Sequence, residues 1–120
     1  MEITSIAKQI QGHIGLLEIG RKELQKRAEE KAKAMSECEK QMAITIIHLA
    51  IDKEVLDGDG ELIKDIGATN REVLAKGVCN KHRYEMDLAT SRYKNAVTGL
   101  TVIMAELNAL QSIFRHLDNT

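Results

Sequence analysis

The chain has 120 residues, with 17 Lys and Arg against 18 Asp and Glu, a formal net charge of -1, no proline and only 2% aromatic residues. That length fits one domain, or one half of a small assembly, and leaves no room for a separate catalytic domain. The balanced charge gives no global positive field to draw nucleic acid or anionic lipid. Without proline nothing interrupts a helix, and so few rings leave little to fill a sheet core, so the composition reads as all-helical.

The first predicted element is a helix over about residues 3–55. A spacing of three and four recurs through Ile3, Ala7, Ile10, Ile14, Leu17, Arg21, Leu24, Ala28, Lys31, Met35, Cys38, Met42, Thr45 and Leu49. Over its repeats from residue 3 to 49 this seam is mostly apolar, the pattern of a coiled-coil helix about 70 Å long at ~1.5 Å per residue. The charged run "RKELQKRAEEKAKAMSECEK" supplies its solvated faces, and Arg21 and Lys31 within the seam read as register-fixing residues. Gly12, Gly15 and Gly20 are costly inside a helix and predict either close helix approach or a kink that sets residues 1–14 apart as a short helix.

A hinge follows over about residues 57–69, where Gly58, Gly60 and Gly67 interrupt the pattern. Glu61–Ile66 is expected to form one short helical turn tucking Leu62 and Ile66 inward. Thr69 and Glu72 have the spacing of a capping box that starts the next helix. That helix is predicted over about residues 70–117, with the seam Ala75, Cys79, His82, Met86, Ala89, Tyr93, Ala96, Leu100, Ile103, Leu107, Leu110, Phe114 and Leu117. Two helices of similar length joined by a short connector fold back antiparallel, so residues 1–120 read as a single helical domain, a long coiled-coil-like hairpin.

Opposite these seams lie second apolar stripes, Ile44, Ile47 and Ile51 on the first helix and Val102, Ala109 and Ile113 on the second. A lone hairpin leaves them wet. Self-association into a multi-helix bundle covers them, unless the hinge and chain ends fold over instead.

The stretch "GVCNKHRYEMD", residues 77–87, concentrates the candidate site residues. Cys79 and His82 point inward along the seam, and a turn near residue 61 brings Cys38 close to them. The three offer soft metal ligands, but a fourth is missing and no CxxC or HxxxH spacing supports it, so the competing reading is two buried thiols and a core imidazole. The separation of Cys38 from Cys79, and the expectation of no signal peptide or membrane-spanning run, favour reduced thiols in a cytoplasm. Lys76, Lys81, Arg83 and Arg92 are candidate ligands for a phosphate held where copies meet, against the alternative of flanking charges paired across a coiled coil. Asp57, Asp59 and Glu61 resemble a scrap of a calcium loop, but lack the spaced ligands an EF-hand needs and read as a solvated turn. No paired catalytic groups occur in a cleft-forming context and no cofactor pattern is present, so no enzyme activity is expected. The absence of aromatic residues interleaved with basic ones counts against single-strand nucleic-acid binding.

Leu62-Ile63-Lys64-Asp65, Asn70, Ala89, Arg92-Tyr93-Lys94, Leu107, Ala109-Leu110-Gln111-Ser112 and Arg115 carry a resemblance over about residues 60–118. In these positions the chain resembles small all-helical accessory proteins of tailed bacteriophages and prophages. The resemblance implies a phage or prophage origin, action in the cytoplasm of a bacterial host, and an accessory role such as counter-defence or support of recombination. It carries no activity over to individual residues. The expectation is therefore a non-enzymatic homo-oligomer that binds either a host defence protein or a small anionic nucleotide signal. The alternative is a nucleic-acid accessory protein for phage recombination or packaging.

Overall fold

A computed structural model describes residues 2–65 and 67–119. The chain is an all-α long helical hairpin built on α1 (Ile3–Asp52) and α3 (Asn80–Asp118). Between them come two short strands, β1 (Glu54–Leu56) and β2 (Leu62–Lys64), a 3-10 turn over Ala68–Asn70, and the short helix α2 (Arg71–Val78). The chain divides into two compact units, Met1–Ala28 with Arg92–Thr120, and Glu29–Ser91.

In the first unit the start of α1 lies antiparallel to the end of α3. Ile6 is fully buried and Leu107 nearly so, while Gly20 lets Leu100 come so close that a Cβ there would lie 2.8 Å from Leu100 Cδ1. Gly20 therefore permits close approach, as expected of one glycine in this stretch. The helix α1 runs without interruption from Ile3 to Asp52, so the expected separate short helix over residues 1–14 does not form.

In the second unit Cys38, Thr45 and Leu49 of α1 are buried, as are Ala75 of α2, Cys79 and Ala89. A fully buried Leu such as Leu49 contributes roughly 1.5–3 kcal/mol relative to an exposed one. Thr45 keeps its hydroxyl satisfied by donating to the Gln41 carbonyl at 2.8 Å, with Cys79 Sγ 3.3 Å away.

The hinge differs from expectation. Lys53 takes the left-handed conformation at φ 63, which ends α1 at Asp52 rather than near residue 55. Residues 54–56 then pair antiparallel with 62–64 in the register Glu54↔Lys64, Val55↔Ile63, Leu56↔Leu62. Where a helical turn is expected over 61–66, Leu62–Lys64 form a strand instead, with Leu62 half exposed, and the expectation for Ile66 lies outside the described residues. The Asp57 amide donates to the Glu61 carbonyl at 2.9 Å and the Gly60 amide to the Asp57 carbonyl at 3.1 Å. With Gly60 at φ 81, this is a tight three-residue connection whose last residue must be left-handed.

The capping box does not form either. Thr69 lies inside the 3-10 turn, and Asn70 precedes α2 without a side-chain cap. The second helix is divided at Cys79 (φ -90, ψ 21), yet the Cys79 amide still donates to the Ala75 carbonyl at 2.9 Å and the Arg83 amide to the Cys79 carbonyl at 3.0 Å.

The protein exposes 8514 Å². A folded monomer of 13.4 kDa typically exposes about 6,500 Å². The surplus of about 2,000 Å² includes much apolar surface, since Ile47, Ile51, Val102 and Ile113 of the two opposite stripes are 44–74% exposed. Helix α3 is also long and apolar enough, by length and composition, to cross a membrane, and almost none of its most apolar stretch is buried within the protein. That corrects the expectation that no run here has a membrane-spanning composition.

Candidate functional site

The four basic residues singled out from the sequence occupy different surroundings. Lys76 Nζ lies 3.7 Å from Glu72 one helical turn away on α2. Lys81 lays its side-chain carbons against Gly58, with Cε 3.7 Å from where a Cβ would stand. It lines a pocket of about 100 Å³ together with Asp57 and Asp59, and two carboxylates beside one ammonium disfavour an anion there. Asp57 is already committed, because its Oδ1 accepts the amides of Asp59 at 2.9 Å and Glu61 at 2.8 Å. Asp57, Asp59 and Glu61 thus shape a turn. Arg83 is half-buried in the same unit.

Arg92 belongs to the other unit, where it lines a pocket of about 340 Å³ with Glu23, Arg27 and Asn95. Arg27 donates from Nε to Glu23 Oε1 at 2.7 Å. This brings a second guanidinium and an amide beside Arg92, a grouping the sequence reading missed because Arg27 and Arg92 lie on different helices. Glu23 and Ala96 also line an adjoining apolar groove of about 230 Å³, formed by Leu16, Ile19, Gly20, Gly99, Leu100 and Ile103. Further along, Ile10, Gln111, Phe114 and Arg115 surround a pocket of about 360 Å³.

Cys38 and Cys79 are free thiols, each 3% exposed, and His82 is half-buried. Burial pushes the Cys38 thiol up, with Cys79 adding to the shift. Among the described residues no group of three His, Cys, Asp or Glu side chains is arranged to hold a metal ion. Cys79 instead faces the Thr45 hydroxyl, the environment of a small core hydrophobe.

Two polar clusters brace the units. In the first, His13 Nε2 lies 2.7 Å from Glu106 Oε2, and this bond raises the imidazole above its ordinary value. In the second, the nearly buried Asp65 carboxylate accepts Arg71 Nε at 3.2 Å and Nη2 at 3.1 Å, and the Gly67 amide at 3.3 Å. The Arg71 guanidinium holds that carboxyl below the usual carboxylate range. Glu37 is likewise lowered, first by the Gln41 amide that donates to it at 3.0 Å.

The fold and these surfaces define an all-α helical hairpin with a small β-hairpin at its turn. Compared with protein-family models, curated proteins and solved structures, the chain gives no match.

Proposed function

We propose that this chain is a non-enzymatic helical-hairpin protein that associates with itself and works by binding. The observation that carries this reading is the surplus of about 2,000 Å² of surface over a typical monomer of this mass, with isoleucines on both long helices left in solvent. Burying such area between copies is the commonest solution for soluble chains. Following the resemblance to phage accessory proteins, its setting is the cytoplasm of a bacterial host, and its role counter-defence by engaging a host protein through a helix face.

A small anionic nucleotide is the second reading, favoured by one observation: Arg92, Arg27 and Asn95 line a common pocket. Lys76 beside Glu72, and Lys81 beside two aspartates, are poorer phosphate ligands. Support of recombination or packaging through nucleic acid ranks lower, since the net charge of -1 offers no electrostatic footprint.

Light scattering coupled to size exclusion tests the assembly, and a strict monomer at micromolar concentration would remove it. Thermal melting against a nucleotide panel tests the second reading, since a ligand at a hundredfold its Kd adds about 2.7 kcal/mol. No nucleotide shift combined with DNA retention that falls steeply with salt would favour the nucleic-acid role.

A further inference from the structure

Glu23 and Arg27 stand one turn apart on α1, and Arg92, Asn95 and Ala96 share one face of α3, so two polar edges border the pocket of about 340 Å³. Arg92 is exposed, and among the described residues no carboxylate pairs with its guanidinium. Glu23 commits one oxygen to Arg27, whose Nε donates to Oε1 at 2.7 Å, while its second oxygen, Oε2, has no partner among the described residues. The pocket thus offers an unpaired cation and an unpaired acceptor to the same space. We infer that it takes a ribonucleotide in preference to the 2′-deoxy counterpart, with the phosphate on Arg92 and Asn95 and the 2′-hydroxyl donating to Glu23 Oε2.

The inference rests on the nucleotide reading and names the sugar. A bare phosphate or an acidic peptide would use only the cation, and Glu23 would repel it. A ligand that carries a hydroxyl donor beside its anion turns the same carboxylate into a partner. The guanidinium of Arg92 is a planar fork of donors suited to phosphate, and the Asn95 amide, three residues along the helix, adds donors next to it. An ionised carboxylate can only accept, so it bonds a hydroxyl and gains nothing from the hydrogen that replaces it in deoxyribose. Acidic side chains hold the ribose 2′-hydroxyl in the same way in dinucleotide-binding folds. The pocket also falls within the ~300–1,000 Å³ of small-molecule sites.

Calorimetric titration of the full chain with ribonucleoside 5′-monophosphates and their 2′-deoxy counterparts tests this. The ribo form should bind at least about tenfold more tightly, the effect of one hydrogen bond to a charged group. Glu23→Ala should remove that preference without weakening the deoxy form, since it also releases Arg27, whereas a merely structural Glu23 would weaken both. Arg92→Ala should weaken both forms about tenfold. Neither side chain is buried, so circular dichroism should show both variants as helical as the wild type. Equal binding of the two forms, a preference that survives Glu23→Ala, or binding untouched by Arg92→Ala would each overturn the inference and leave the nucleotide reading standing. Ribose 5-phosphate bound as tightly as the nucleotides would overturn it in favour of a sugar phosphate. Binding of neither form overturns it as well, and the nucleotide reading falls with it only if the wider panel also leaves the melting temperature unchanged.

Discussion

His13 and Glu106, 93 positions apart in sequence, meet at 2.7 Å across the first unit. The other ring nitrogen of His13, Nδ1, lies 2.9 Å from the Gln9 carbonyl. A carbonyl and an ionised carboxylate can only accept, so this geometry favours the protonated ring, which donates from both nitrogens. Its folded value is raised above the ordinary 6.5, first by the bond to Glu106. The stabilisation is therefore complete below about 6.5 and is lost as pH rises through the raised folded value. Urea midpoints of the wild type should decline as pH rises above about 6.5, and His13→Gln should flatten that decline. Parallel pH profiles for the two proteins would show that the pair does not couple to folding.

The Asp65 carboxylate works in the opposite sense. Its folded value is lowered, first by Arg71, so its contribution is present above the ordinary carboxylate range and disappears as pH falls through the lowered folded value. Asp65→Asn should lower the melting temperature at neutral pH and bring wild type and variant together in strong acid. A constant difference down to the lowest pH would assign the effect to shape rather than charge.

Lys53 holds φ 63 at the end of α1, a conformation that costs a side-chain-bearing residue roughly 1–2 kcal/mol. Lys53→Gly removes that cost but adds freedom to the unfolded chain, leaving a net gain of about 0.5–1 kcal/mol. The carbonyl of residue 53, which accepts the Asp65 amide at 2.7 Å, is kept. Chemical denaturation reads the gain directly, and a loss would mean that the Lys53 side chain, 3.9 Å from Asp65, matters more than its backbone.

Cys38 and Cys79, each 3% exposed, should react with a thiol reagent about 100-fold more slowly in the native protein than in denaturant. Added zinc should leave the native rate unchanged, because no metal-holding group is formed among the described residues. Protection by zinc would restore Cys38, Cys79 and His82 as a metal cluster.

The second half of the hairpin was the most legible from sequence. Every residue of its expected seam, from Ala75 through His82 and Tyr93 to Leu117, is buried or half-buried. In the first helix the expected seam holds at Cys38, Thr45 and Leu49, but Ile3, Ile14, Arg21 and Met35 are exposed. The half-buried positions next to three of them are His13, Gly20 and Ala34. A straight helix drifts by about 20° per heptad from a strict seven-residue repeat, and glycine and histidine give no hydrophobic signal to correct the reading. The β-hairpin has a signal in "DGDG" between two short apolar runs, which fits a tight connection, but glycines that break a helix fit a plain hinge equally well. The Arg27–Arg92 pocket and the His13–Glu106 pair depend on which turns of two helices face each other, which periodicity alone does not fix.

The backbone reversal at Gly60 also guards against misalignment of the strands beside it. Of the six strand residues, only Val55 and Ile63 are partly sheltered, and they sit directly opposite one another. Lengthening or shortening the reversal by one amino acid would slide one strand past the other and turn either valine or isoleucine outward, exchanging its sheltered face for a wet one. Insertions at this tip should thus be far less tolerated than its solvent exposure alone suggests.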